Sequence, residues 1–93
     1  MNKCLKISFG ADIPEGFLRT FVQKYARQCE LEGMARVFNA EEKIVVVVCG
    51  HKDAVDDFLD ILHKGSKGVY LEDIEVEPFL KDRDYRGVFR VIE

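Results

Sequence analysis

Two amphipathic helical stretches flank a closely spaced pair of strands, and one of those strands is an unbroken β-branched run. These features predict an α+β fold of the ferredoxin-like βαββαβ type, an antiparallel sheet with two helices on one face. A short extra C-terminal strand is expected to complete the sandwich. A chain of 93 residues holds one core, so residues 1–93 read as a single domain.

Lys3 to Phe9 alternates, with Leu5, Ile7 and Phe9 on one side and Lys6 and Ser8 on the other. That is a half-buried strand. Gly10 to Gly16 (GADIPEG) reads as a loop, punctuated by two glycines and a proline. Phe17 to Glu30 reads as a helix whose apolar face carries Leu18, Phe21, Val22, Tyr25 and Cys29. Arg19, Gln23, Lys24 and Arg27 lie mostly off that face, and Gly33 is the expected stop.

Met34 to Asn39 is a short strand, and Ala40 to Glu42 turns the chain into Lys43 to Gly50 (KIVVVVCG). The β-branched run marks a central strand buried on both faces, paired with its predecessor as a hairpin. Lys52 to Lys64 is the second helix, with Val55, Phe58, Leu59 and Leu62 as its stripe. Asp53, Asp56, Asp57 and Asp60 lie elsewhere and read as a solvated face, those nearest the N-terminus favoured by the helix dipole. Gly65 to Gly68 ends the helix. Val69 to Phe79 alternates but shifts phase between Asp73 and Ile74, which predicts a bulge. Lys81 to Arg86 is a charged turn, and Val88 to Ile92 is the last strand. Right-handed crossovers in both βαβ-type units place the two helices together.

Composition narrows the function. A chain that is 47% hydrophobic and 33% charged is an ordinary globular one. Its net charge is −3, from 14 basic and 17 acidic residues, which argues against a general nucleic-acid binder. An RNA-binding platform of the same element order needs exposed aromatics on its third strand, and Ile44 to Cys49 has none. A small anion needs only one local positive site, so that ligand class stays open. Cys4, Cys29 and Cys49 are widely spaced, with no CxxC, and His51 and His63 give no zinc spacing. Three reduced thiols in or near the core are expected, which points to the cytoplasm. No signal-peptide pattern is read, and the longest apolar stretch, Ile44 to Cys49, is too short to cross a membrane. There is no P-loop, no GxGxxG and no nucleophile motif, so neither a cofactor nor a metal is expected.

The remaining candidate is the loop that leads into the first helix, GADIPEGFLR. A helix N-terminus offers unbonded N–H groups and partial positive charge, glycines allow close approach, and Arg19 would add a planar cationic fork.

The helix start Phe17-Leu18-Arg19-Thr20-Phe21-Val22, with Tyr25-Ala26 beyond it, and Val37-Phe38-Asn39 at the end of the second strand carry a likeness. Ile44 to Gly50, Phe58-Leu59, Leu62, Gly65-Ser66, Ile74-Glu75-Val76 and Phe89-Arg90-Val91 extend it along nearly the whole chain. The pattern resembles the acylphosphatase family, which has Gly-x-Val-Gln-Gly-Val-x-Phe-Arg at this loop and Val-x-Asn in the second strand. The resemblance implies a hydrolase that splits acyl phosphates into carboxylate and phosphate without metal or covalent intermediate. It implies that Arg19 binds the phosphate and Asn39 holds the attacking water. The backbone amides of the loop Ile13, Pro14, Glu15, Gly16, Phe17 and Leu18 would form the cradle. The expected partner is a small-molecule acyl phosphate or inorganic phosphate, with no nucleic acid and no membrane, for a monomer or weak homodimer.

The loop departs from the family pattern. Aligned back from Arg19, Ala11 and Glu15 stand at the family's glycines and Pro14 at its glutamine; slid by one residue, Glu15-Gly16 fall under its Gln-Gly, but Arg19 then stands one position early. Proline brings no N–H, and Glu15 brings a negative charge beside the proposed anion. The stretch before Asn39 is also longer, with the extra residues expected at Glu32 to Ala35. A second reading therefore stands beside the first: a catalytically impaired domain of the same fold, used for binding or assembly.

Overall fold

The computed structural model describes residues 2–10, 16–38, 43–65, 71, 73–80 and 85–92. In chain order they form β1 (Asn2–Gly10), helix α1, β2 (Glu32–Phe38), β3 (Lys43–His51), α2 (Lys52–Lys64), β4 (Glu75–Pro78) and β5 (Phe89–Ile92). Helix α1 is a π-helical segment, Leu18–Gln23, that runs on into an α-helical one, Lys24–Gln28. The sheet order is β4-β1-β3-β2-β5, a ferredoxin-like sheet with one strand added.

The sheet is mixed, not antiparallel throughout. β1 pairs antiparallel with β3 and β4, and β2 with β3, but β5 runs parallel to β2. β4 finishes at the end of the sheet where β1 and β2 begin, since Pro78 faces Leu5 and Cys49 faces both Cys4 and Glu32. A final strand that enters from that end must point the same way as β2.

Alternation in the strands and three- to four-residue spacing in the helices build one core. Ile7 and Phe9 of β1 and Ile44, Val46 and Val48 of β3 face the helices, which contribute Leu18, Phe21, Val22, Ala26, Val55, Phe58 and Leu62. Every one of these is buried. β3 lies at the centre of the order, and Val47 and Cys49 on its other face are buried as well, as the β-branched run predicts. Phe17 stacks on Phe21 with ring centroids 4.8 Å apart, and Phe21 meets Tyr25 edge-on at 5.0 Å.

Several local expectations are corrected. Helix α1 does not stop at Gly33. Glu30 takes the left-handed conformation (φ 56°), its N–H bonds the Arg27 carbonyl, and the Leu31 N–H bonds that of Ala26. This is a Schellman closure with glutamate where glycine is usual. Gly33 instead lies inside β2, with φ 142°, and a Cβ there would sit 1.8 Å from the Val47 carbonyl oxygen. β2 accordingly begins earlier than the sequence suggests, at Glu32. β4 is only Glu75–Pro78, and the phase shift arises ahead of it, where Asp73 takes φ 54°, rather than as a bulge within a long strand. Val69, Tyr70, Glu72 and the turn residues 81–84 lie outside the described residues.

The largest correction concerns the thiols. Cys4 and Cys49 are directly opposed in the β1–β3 register and are joined as a disulfide, leaving Cys29 as the free cysteine among the described residues. Widely separated cysteines do not advertise a bridge, because the register that brings residues 45 positions apart together is a property of the folded sheet.

The aspartates of α2 mostly form the solvated face expected of them, with one exception. Asp56 accepts from Lys3 of β1 at 2.6 Å and from Lys52 at 3.2 Å, which ties the helix to the sheet. The Lys3 hydrogen bond, and then that of Lys52, hold the Asp56 carboxyl below its ordinary range. His51 caps the same helix through Nδ1, which accepts from the Asp53 N–H at 3.3 Å.

Candidate active site

Of the residues that the sequence singles out, Gly16, Phe17, Leu18 and Arg19 are described, whereas Ile13, Pro14, Glu15 and Asn39 lie outside the described residues. The described four make one tight turn at the start of α1. Gly16 has φ 80°, a left-handed value that suits glycine, and its carbonyl accepts from the N–H of Arg19 (3.1 Å), the N–H of Thr20 (2.8 Å) and the Thr20 hydroxyl (2.9 Å).

This turn sorts backbone from side chain. Phe17 and Leu18 are 5% and 3% exposed, so their side chains anchor the loop exit in the core. Arg19 and Thr20 point outward, and Phe21 and Val22 return to the core. The amides of Arg19 and Thr20 are engaged by Gly16. Those of Phe17 and Leu18 precede the first intrahelical bonds and are the donors a helix start presents to an anion. The wide turns of Leu18–Gln23 begin at this point, and π-type turns occur often at functional sites.

The register places the two flanks of the candidate site at one end of the sheet. Gly10, the last residue of β1, pairs with Lys43, and so does Phe38, the last residue of β2. The chain therefore leaves β1 toward the loop, and β2 toward Asn39, from the same end. Lys43 itself is exposed there, a cation that no motif along the chain marks. Its signal lay in the register, which no spacing along the chain reveals. Beside Gly10 opens a cleft of about 530 Å³, lined by Ser8, Lys43, Asp73 and Glu75 among others.

Residues 13–91 match the family model described as Acylphosphatase. The chain belongs to the acylphosphatase family. A protein named "Acylphosphatase" from Caldivirga maquilingensis is 28% identical over 69 residues, which cover 74% of this chain and 73% of the relative. The structure of an acylphosphatase from Coxiella burnetii superposes with a TM-score of 0.81 at 22% identity, covering 98% of this chain and 93% of the other. The crystal structure of acylphosphatase from Bacillus subtilis gives 0.80 at 22% identity, with full coverage of both chains. At these identities the structural likeness speaks for the fold, and membership rests on the family match. For this acylphosphatase-family chain a net charge of −3 coexists with two exposed cations, Arg19 in the first turn of α1 and Lys43 at the start of β3. No described helix is long and apolar enough to cross a membrane.

Proposed function

We propose that this chain is a hydrolase of acyl phosphates, cleaving the carboxyl–phosphate anhydride into carboxylate and inorganic phosphate. The observation that carries this reading is the shared exit of β1 and β2 opposite Lys43, taken with the anchored turn Gly16–Arg19. In this assignment the backbone N–H groups of the Ile13–Leu18 loop other than Pro14, which has none, and the Arg19 guanidinium bind the phosphoryl group, and Asn39 holds the attacking water. Phe17 and Leu18 act through their backbone, because their side chains are committed to the core.

The chemistry asks little of the protein. The departing carboxylate is stable without protonation, so no general acid is required. Water adds to phosphorus, the P–O bond to the acyl group breaks with its electron pair going to the carboxylate, and the water's proton passes to a phosphate oxygen. Positioning of the water and stabilisation of charge on the phosphoryl oxygens supply the acceleration. The substrate is a small molecule rather than a nucleic acid, and the working form is a monomer or weak homodimer.

Benzoyl phosphate turnover tests the assignment. Wild type should hydrolyse it above the buffer rate, and Arg19→Ala should lower kcat/KM by about 100- to 1000-fold. The Arg19 side chain is exposed, so the thermal midpoint of the variant should stay near that of wild type. Absence of turnover by wild type would sink the hydrolase and leave a binding module on the same fold.

A further inference from the structure

Cys4 and Cys49 lie on the face of the sheet away from both helices. Along β1, Cys4 is out of phase with Ile7 and Phe9, and along β3, Cys49 is out of phase with Ile44, Val46 and Val48, the residues that face the helices. Neither sulfur belongs to the core cluster, although Cys29, on the helix layer, packs against it. Cys4 is half-buried, whereas Cys49 is 4% exposed.

We propose that Cys4–Cys49 is a reversible thiol–disulfide exchange site, opened by a dithiol reductant in the folded protein and re-formed without unfolding. This inference does not depend on the hydrolase reading.

Three observations carry it. First, the bridge is redundant for strand pairing. β1 and β3 stay in register over nine pairs, Asn2↔His51 to Gly10↔Lys43, so that reduction removes one covalent link and no ladder hydrogen bond. Second, the same ladder holds the two Cα atoms 4.1 Å apart, which keeps the thiols at high effective concentration for re-oxidation. Third, the sheet stands between this pair and Cys29, so disulfide scrambling is blocked while the fold persists. Burial, and then the Asp57 charge, also push the Cys29 thiol up, which keeps it a poor nucleophile.

Access decides the direction of attack. A reductant thiolate meets Cys4, the more exposed of the two residues; the Cys4–Cys49 bond breaks, and Cys49 leaves as a thiolate that takes a proton from water. The second thiol of the reductant then attacks its own sulfur in the mixed disulfide and releases Cys4. Two electrons pass from the dithiol to the cystine, and the dithiol becomes a disulfide.

The test is native-state reduction of the whole protein. Protein equilibrated with dithiothreitol at neutral pH, without denaturant, is alkylated and digested, and labelling at Cys4, Cys29 and Cys49 is read by mass spectrometry alongside far-UV circular dichroism. The expected result is labelling of Cys4 and Cys49 with an unchanged spectrum at room temperature, a thermal midpoint lowered by about 20 °C, and full recovery of both midpoint and disulfide after dialysis into a glutathione redox buffer. The Cys29→Ser variant should behave identically. Labelling of Cys4 and Cys49 only after denaturant is added, loss of the spectrum on reduction, failure to recover, or an oxidised protein that carries no Cys4–Cys49 peptide would each overturn the proposal. Should Cys4→Ser/Cys49→Ser fail to fold, that too counts against it, and the wild-type experiment decides independently.

Discussion

Single residues show where local chemistry is decided by neighbours far along the chain. Gly33 reads as a helix stop, but it lies in β2 because only a residue without Cβ can pass the Val47 carbonyl at φ 142°. Gly33→Ala should therefore lose at least about 2 kcal/mol of stability, seen as a lower urea midpoint. Asp56 reads as one carboxylate of a solvated face and is in fact held by Lys3 and Lys52. Its folded-state carboxyl is depressed, so its contribution is present at neutral pH, begins to weaken below the ordinary value of 3.8, and is lost as pH falls through the depressed value. The thermal midpoint gap between wild type and Asp56→Asn should accordingly exist at pH 7 and close in strong acid. A gap that persists under acid would remove the ion pair as its cause.

Elements were more legible than residues, because periodicity reports which face is buried. The stripe Val55, Phe58, Leu59 and Leu62 gives α2 the bounds Lys52–Lys64 that the structure has. Phe58 is fully buried, so Phe58→Ala should cost about 3–5 kcal/mol by chemical denaturation. Helix α1 was legible in its apolar face but not in its geometry. The same residues, Leu18, Phe21 and Val22, are buried on α-helical or π-helical turns, so their spacing does not separate the two. The short β4 shows the opposite failure. Alternation from Val69 to Phe79 suggested a long strand, yet pairing with β1 extends over only four residues, Leu5↔Pro78 to Ser8↔Glu75. An edge strand made of Glu75, Val76, Glu77 and Pro78 is guarded by charge and proline against further pairing.

At the scale of the molecule, the disulfide and the sheet order dominate. Cys4 and Cys49 close a loop with a sequence separation of 45, which in the chain-entropy account stabilises the fold by about 4 kcal/mol. Cys4→Ser/Cys49→Ser should lose that amount in chemical denaturation and still fold, since domains of this kind hold about 5–15 kcal/mol in total. The order β4-β1-β3-β2-β5 also sends the chain out of β1 and β2 at one end, beside Lys43, with the start of α1 after the first of those exits.

Legible along the chain are the element types, the core stripes, the central place of Ile44–Cys49 and, through Phe17–Val22 and Val37–Asn39, the family. These are matters of local periodicity and short motifs, which a linear string records. The cystine, the parallel β5, the demand for glycine at 33, the tether of Asp56 and the common exit beside Lys43 exist only once the sheet is folded. Each of these depends on register between strands distant in sequence, and register is set by packing of the whole sheet rather than by any residue's neighbours along the chain.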